Sequence, residues 1–170
     1  MGLFDWLTGS KPAPAGVARQ PISALRERLL AVNRDTAPFI VRDGAPEGVD
    51  LVAEWKIVDA HWYEIFAKAG LERVFKVLMK FDEGRGEVRA VDREWQVEWR
   101  AGVPSLSLAA AAFRGQKAEI SFGTAFAFRE DASYGQVYDY RFSTRELKAP
   151  LIAAAQGAGW GWKGVAFGKL

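Results

Sequence analysis

Apolar residues recur at helical spacing in two stretches of this chain and alternate with polar ones through most of the rest. Ile22, Leu25, Leu29 and Val32 share one stripe, with Arg26, Glu27 and Arg28 between them. That spacing predicts a surface helix from about Ile22 to Asn33, opened by Ser23 and stopped before Pro38. A second helix is expected over Asp59 to Ala69. There Trp62, Ile65, Phe66 and Ala69 form one face, Glu64 and Lys68 pair along it, and Gly70 ends it.

Elsewhere the period is two. Val49, Leu51, Ala53, Trp55 and Ile57 alternate with Asp50, Glu54 and Lys56. Phe75, Val77, Met79 and Phe81 alternate with Lys76, Leu78 and Lys80, and Trp95, Val97 and Trp99 with Glu94, Gln96, Glu98 and Arg100. The same holds for Ile120, Phe122, Thr124, Phe126 and Phe128, and for Tyr138, Tyr140 and Phe142 around Asp139 and Arg141. Alternation of that length means half-buried strands with one wet face, which favours antiparallel pairing.

Turn residues sit at the joints: Asp43-Gly44, Asp82 to Gly86, Ala101-Gly102, Arg114-Gly115-Gln116 and Ser133-Tyr134-Gly135. Val88 and Val91 break the alternation ahead of Trp95, so a bulge is expected near Asp92-Arg93. The expected fold is α+β, a strongly bent antiparallel sheet or partial barrel of seven to eight strands with two to three helices. A flat sheet would leave the aromatic face wet.

Two terminal regions read differently. Residues 10–20, SKPAPAGVARQ, have no periodicity and suggest a linker between an amphiphilic peptide and a single domain over 21–170. Leu3, Phe4, Trp6 and Leu7 of that peptide either fold back onto an apolar groove or touch a partner or membrane surface. Near the other end, Ser143-Thr144-Arg145-Glu146 fits a capping box, but Pro150 conflicts with a helix begun there. A helix starting at Pro150 and running to Gln156, apolar all round and therefore internal, is the preferred expectation. Gly157, Gly159, Gly161 and Gly164 then interleave with Trp160, Trp162 and Phe167, which suggests a tail strand in close backbone contact or, less simply, a stacking platform.

Composition narrows the chemistry. The 170 residues hold no cysteine and one histidine beside seven tryptophans and eleven phenylalanines, so a thiol nucleophile, a thiolate metal site and a multi-histidine cage are excluded. The charged fraction, 26%, is ordinary for a globular chain; 23 basic and 21 acidic residues leave a formal charge of only +2. So small an excess gives little long-range field for nucleic acid, and no cationic cluster stands out along the chain. The first nine residues lack the basic start of a secretory signal, and Trp6 stands where a myristoylation signal needs Ser or Thr. The cytoplasm is the expected location.

No catalytic residues, metal ligands or cofactor site follow from the motifs. His61 lies beside the polar face of the second helix, Glu94 and Glu98 read as a solvated strand face, and no nucleophile elbow or phosphate loop is present. Asp82, Glu83 and Asp92 lack calcium-loop spacing. Arg141, Arg145 and Lys148 accompany Tyr138, Tyr140 and Phe142, but the rings and Arg141 fall on opposite strand faces.

The expected function is a non-catalytic domain that binds a protein partner or a small apolar ligand. Trp95, Trp99, Phe122, Phe126, Tyr138, Tyr140, Trp160 and Trp162 would line the ligand pocket. One alternative is a peripheral membrane or scaffold protein held by the N-terminal peptide. Another is an enzyme using Glu54, Asp59 or His61 as acid–base groups.

Overall fold

The computed structural model describes residues 9–35, 37–56, 73–100, 103–108, 114–115, 144–165 and 170, with the backbone alone at 73–75, 94–96, 98–100, 103–108, 114–115 and 144–146. The elements are α1 (Ile22–Leu30), β1 (Phe39–Asp43), a 3-10 turn (Ala45–Glu47), β2 (Leu51–Trp55), β3 (Arg73–Asp82), β4 (Glu87–Arg100), β5 (Val103–Leu108), β6 (Arg114–Gly115), α2 (Thr144–Gly157) and β7 (Gly161–Gly164). The expected helix over Asp59–Ala69 and the strands around Phe122, Phe126, Tyr138 and Tyr140 lie outside the described residues. So do Leu3, Phe4, Trp6 and Leu7.

The fold is α+β, built on one sheet whose main path runs β1-β2-β3-β4-β5, with β6 and β7 attached to β4. Among the described residues this path is open rather than closed as a barrel, since β1 and β5 end it without pairing. Pairing is antiparallel throughout except for β7, which runs parallel to β4 from Glu87↔Gly161 to Ala90↔Gly164. The mixed sheet corrects the all-antiparallel expectation. A parallel pair needs a crossover, and α2 ahead of β7 supplies one that period-two patterning does not reveal.

At 14 residues, β4 is the spine. β3 holds one edge of it from Arg73↔Gln96 to Asp82↔Glu87 in an unbroken register, with the turn 83–86 between them. No bulge interrupts that ladder at Asp92-Arg93, contrary to expectation. Val91 breaks the apparent alternation because it belongs to a small cluster on the opposite face. The other edge of β4 is shared by β7, then β6 at Asp92↔Gly115 and Arg93↔Arg114, then β5 from Trp95↔Leu108 to Arg100↔Val103. Arg114-Gly115 is thus a strand pair rather than the expected turn. β1 and β5 are short elements that the alternation analysis did not single out.

The inner face of the sheet carries the main core. Leu51, Ala53, Trp55, Val77, Met79, Val88 and Ala90 meet Leu25 and Leu29 of α1 and Leu147, Leu151 and Ala155 of α2. Phe81 packs against this cluster and Phe39 meets Trp55 edge-on, with ring centroids 6.3 Å apart. Val97, further along β4, also joins this core cluster.

α2 begins at Thr144, immediately after Ser143, and carries Pro150 inside it. Neither the expected start at Pro150 nor a fully buried helix is found, because Ala149 and Ala153 are exposed while Leu147, Leu151, Ala155 and Ala158 are buried. Pro150 costs the helix one hydrogen bond and a close contact, about 3 kcal/mol. Burial of Leu147 in the turn before it, worth about 1.5–3 kcal/mol, offsets much of that.

The C-terminus of α2 is closed by backbone geometry. Gly159 adopts φ +74°, its N–H donates to the Gln156 carbonyl at 2.9 Å, and the Trp160 N–H donates to Ala155 at 3.0 Å. This is a Schellman motif with glycine at the left-handed position. Trp160 and Trp162 thereby enter the core, each 1% exposed.

The stretch 10–20 is docked against this corner. Lys11 and Trp162 exchange backbone hydrogen bonds of 2.8 and 2.7 Å, and the Ser10 hydroxyl accepts the Gly164 N–H at 3.0 Å. Trp160 Nε1 donates to the Gln20 carbonyl at 2.8 Å, and the Arg19 guanidinium lies 5.8 Å from the Trp160 ring centroid. The free edge of β7 is covered in this way. The β1 edge is met by the Asn33 amide, which donates to the Val41 carbonyl and accepts its N–H.

A methyl group on Gly159 would stand 2.6 Å from the Ala18 carbonyl oxygen in addition to the positive φ. Gly159→Ala is expected to cost more than about 1 kcal/mol. Gly84→Ala, where the nearest atom to an added methyl is an Asp82 oxygen at 3.5 Å, is expected to stay within about 0.5 kcal/mol. Urea unfolding of both variants checks the contrast.

Candidate outer-face binding site

The outer face of the sheet takes its pattern from register alone. Asp82 lies opposite Glu87, Lys80 opposite Arg89, Leu78 opposite Val91, and Lys76 opposite Arg93. The neighbouring strands extend these rungs. Arg89 pairs with Lys163, Val52 with Leu78, and Glu54 with Lys76. An acidic rung, a basic rung (Lys80, Arg89, Lys163), an apolar rung (Val52, Leu78, Val91) and a mixed rung (Glu54, Lys76, Arg93) therefore succeed one another. Strands stand about 4.8 Å apart and same-face residues about 6.8 Å apart along a strand, so these groups are near neighbours.

Two devices hold the charges. At the β1 side, Arg42 Nε donates to Glu54 at 2.8 Å, its terminal nitrogens reach Glu47, and Lys76 Nζ donates to Glu54 at 2.8 Å. On β4, Arg89 meets Glu87 at a longer 3.5 Å. Lys80 and Arg93 have no ion pair among the described residues. Like charges directly opposite on paired strands repel, and within the Lys80–Arg89–Lys163 rung Glu87 offsets part of that at Arg89.

Electrostatics of the Arg42 network follow from its geometry. Burial alone would push the Glu54 carboxyl up, but hydrogen bonds from Arg42 and Lys76 outweigh it and hold the group below its ordinary 4.5. The Arg42 hydrogen bond likewise lowers Glu47. Glu54 is thus an ionised acceptor at neutral pH, poorly suited to the acid–base role weighed for it.

Inside the sheet, Asp92 is 1% exposed and its carboxylate pairs with Lys148, whose side chain is 12% exposed. In the sequence Lys148 stands in a basic group beside Tyr138, Tyr140 and Phe142. The turn of α2 ahead of Pro150 instead carries it under the sheet to Asp92. A lone buried carboxylate would be costly, and the ammonium offsets that cost.

The structure distributes the other candidate residues widely. Trp160 and Trp162 are packed core residues at the β7 corner, and Trp95 and Trp99 lie on β4 with side chains outside the described set. Phe122, Phe126, Tyr138, Tyr140 and His61 lie outside it altogether. Among the described residues there is no group of three His, Cys, Asp or Glu side chains able to hold a metal, and no helix long and apolar enough to cross a membrane. Sequence reasoning missed the basic rungs. Lys76 and Lys80, and Arg89 and Arg93, recur at i,i+4 on two successive strands, and that repeat was the available signal.

Comparison with protein-family models, curated proteins and solved structures gives no match.

Two outcomes test this account. Glu54 and Glu47 are lowered in the folded state, so their stabilisation is fully present above the unfolded value near 4.5 and is lost as pH falls through the folded values. Glu54→Gln should flatten the acid limb of a thermal-melt profile below about pH 4.5. Asp92→Ala should cost about 3–5 kcal/mol in urea unfolding, whereas Asp92→Leu combined with Lys148→Met should recover most of it. Equal losses in the single and double variants would show that the pair is not the source.

Proposed function

We propose that this chain is a non-catalytic binding domain that captures a protein partner on the outer face of its sheet. One observation carries the reading: Lys80, Arg89 and Lys163, drawn from three strands, stand side by side in register. A row of three cations drawn from three strands is complementary in sign to an anionic partner. The small-ligand reading has less support, because Leu25, Leu29, Leu147, Leu151, Trp160 and Trp162 fill the described inner face. Asp92 with Lys148, and Arg42 with Glu47 and Glu54, tie the crossover helix and the β1 side to the sheet, which is structural work.

Fluorescence anisotropy with labelled polyglutamate and polylysine tracts tests this. Polyglutamate alone should bind, more weakly as salt rises, and Lys80→Glu with Arg93→Glu should weaken it at least about tenfold while far-UV circular dichroism stays unchanged. No polyglutamate binding at low salt, or equal binding by the charge-reversed protein, removes the outer face as the docking surface.

A further inference from the structure

The strap formed by residues 10–20 stands on β7 and the end of α2 by two feet. The first foot is the Lys11–Trp162 backbone pair, the Ser10 hydroxyl oxygen, which accepts the Gly164 N–H, and the Gln156 amide, which donates to the Pro12 carbonyl at 3.2 Å. The second is the Gln20 N–H, which donates to the Ala158 carbonyl at 2.9 Å, with the Trp160 indole N–H on the Gln20 carbonyl. Arg19 Nη1 adds a bond to the Glu83 carbonyl at 2.8 Å. Between the feet, residues 13–18 make no hydrogen bond among the described residues, and all but Pro14 are exposed.

Those six residues leave the body and return to it almost where they left. A methyl group on Gly161 would stand 3.2 Å from the Ala13 nitrogen, and one on Gly159 2.6 Å from the Ala18 carbonyl oxygen, so the loop departs and lands over two glycines two residues apart. Its return depends on Gly16, which adopts φ +80°. An added methyl there meets nothing within 4 Å, so backbone conformation alone restricts that position. Pro12 and Pro14 fix their own φ and favour an extended chain, so the segment loses little further freedom when drawn out straight. Straightened, six residues span roughly 20 Å, enough to carry the first foot off its own corner.

We infer that this strap exchanges between two copies of the chain: with the Gly16 turn opened, residues 10–12 of each copy seat on β7 of the other, while Arg19 and Gln20 stay on their own. Every hydrogen bond of the first foot is then remade with an identical group, and neither β7 edge is left bare. The balance between closed and exchanged forms is set by the turn at Gly16 and by chain concentration rather than by new contacts. A seat vacated by one strap receives the same residues from the other copy, so no foreign group competes for it. A formal charge of +2 opposes the approach of two copies only weakly. The exchange does not depend on anion capture at the outer face.

Sedimentation velocity of the full chain over a concentration series tests this. Gly16→Val strains only the folded-back loop, because a β-branched residue resists positive φ but suits an extended chain; it should strengthen dimerisation by at least about tenfold. Gly16→Asn, which tolerates the left-handed conformation, should follow the natural chain. Lys11→Pro added to Gly16→Val removes the N–H that the Trp162 carbonyl accepts, and should return the protein to monomer with far-UV circular dichroism unchanged. Gly16→Thr replaces Gly16→Val if the latter does not fold. A folded variant that stays monomeric at every concentration overturns the exchange, as does a dimer that survives Lys11→Pro. Equal dimerisation of Gly16→Asn and Gly16→Val overturns Gly16 as the hinge.

Discussion

The β3–β4 ladder, in register from Arg73↔Gln96 to Asp82↔Glu87 without a bulge, sets the position of nearly everything else in the described structure. A strand's side chains have a period of two, so a one-residue slip of β3 would take Val77 and Met79 out of the core and put Lys76 into it, and a slip of β4 would exchange Val88 and Ala90 for Arg93. Burial of the first set and solvation of the second therefore enforce the same register. Once that register holds, β4 offers its remaining edge to β7, β6 and β5 in turn. The inner face is then closed by α1 and α2, and the outer face acquires its bands.

The corner around β7 shows how a short parallel strand survives at an edge. Its four residues include two glycines, which gives it little side-chain packing of its own. Trp162 supplies core burial, the Gly159 turn fixes the approach from α2, and the segment ahead of α1 covers the exposed edge through Lys11 and Ser10. Chain segments far apart in sequence thus complete one another's hydrogen bonds. A stretch that composition alone marks as a linker becomes part of the packed body at both its ends.

Charge on the two faces is handled by contrasting means. Beneath the sheet, Asp92 and Lys148 form a pair shielded from water, where each group depends on the other. Above it, Arg42, Glu47, Glu54 and Lys76 form a half-exposed network near neutrality, and Arg89 meets Glu87. Buried pairing serves the fold.

Much of the interior was legible in the sequence. The alternation through Leu51, Ala53 and Trp55, the spacing of Leu25 and Leu29, and the turn at 83–86 each depend on neighbours a few residues away, and periodicity reports such contacts directly. Capping residues near Thr144 were legible too, but Pro150 outweighed them in a local reading. Only the tertiary environment shows that burial of Leu147 and the Lys148–Asp92 pair justify a proline within the helix. The parallel placement of β7, the docking of Lys11 and Ser10, and the meeting of Lys80, Arg89 and Lys163 were not legible at all. Each joins residues through hydrogen-bond register between distant segments, and a one-dimensional pattern fixes which face a side chain takes without saying which strand lies beside it.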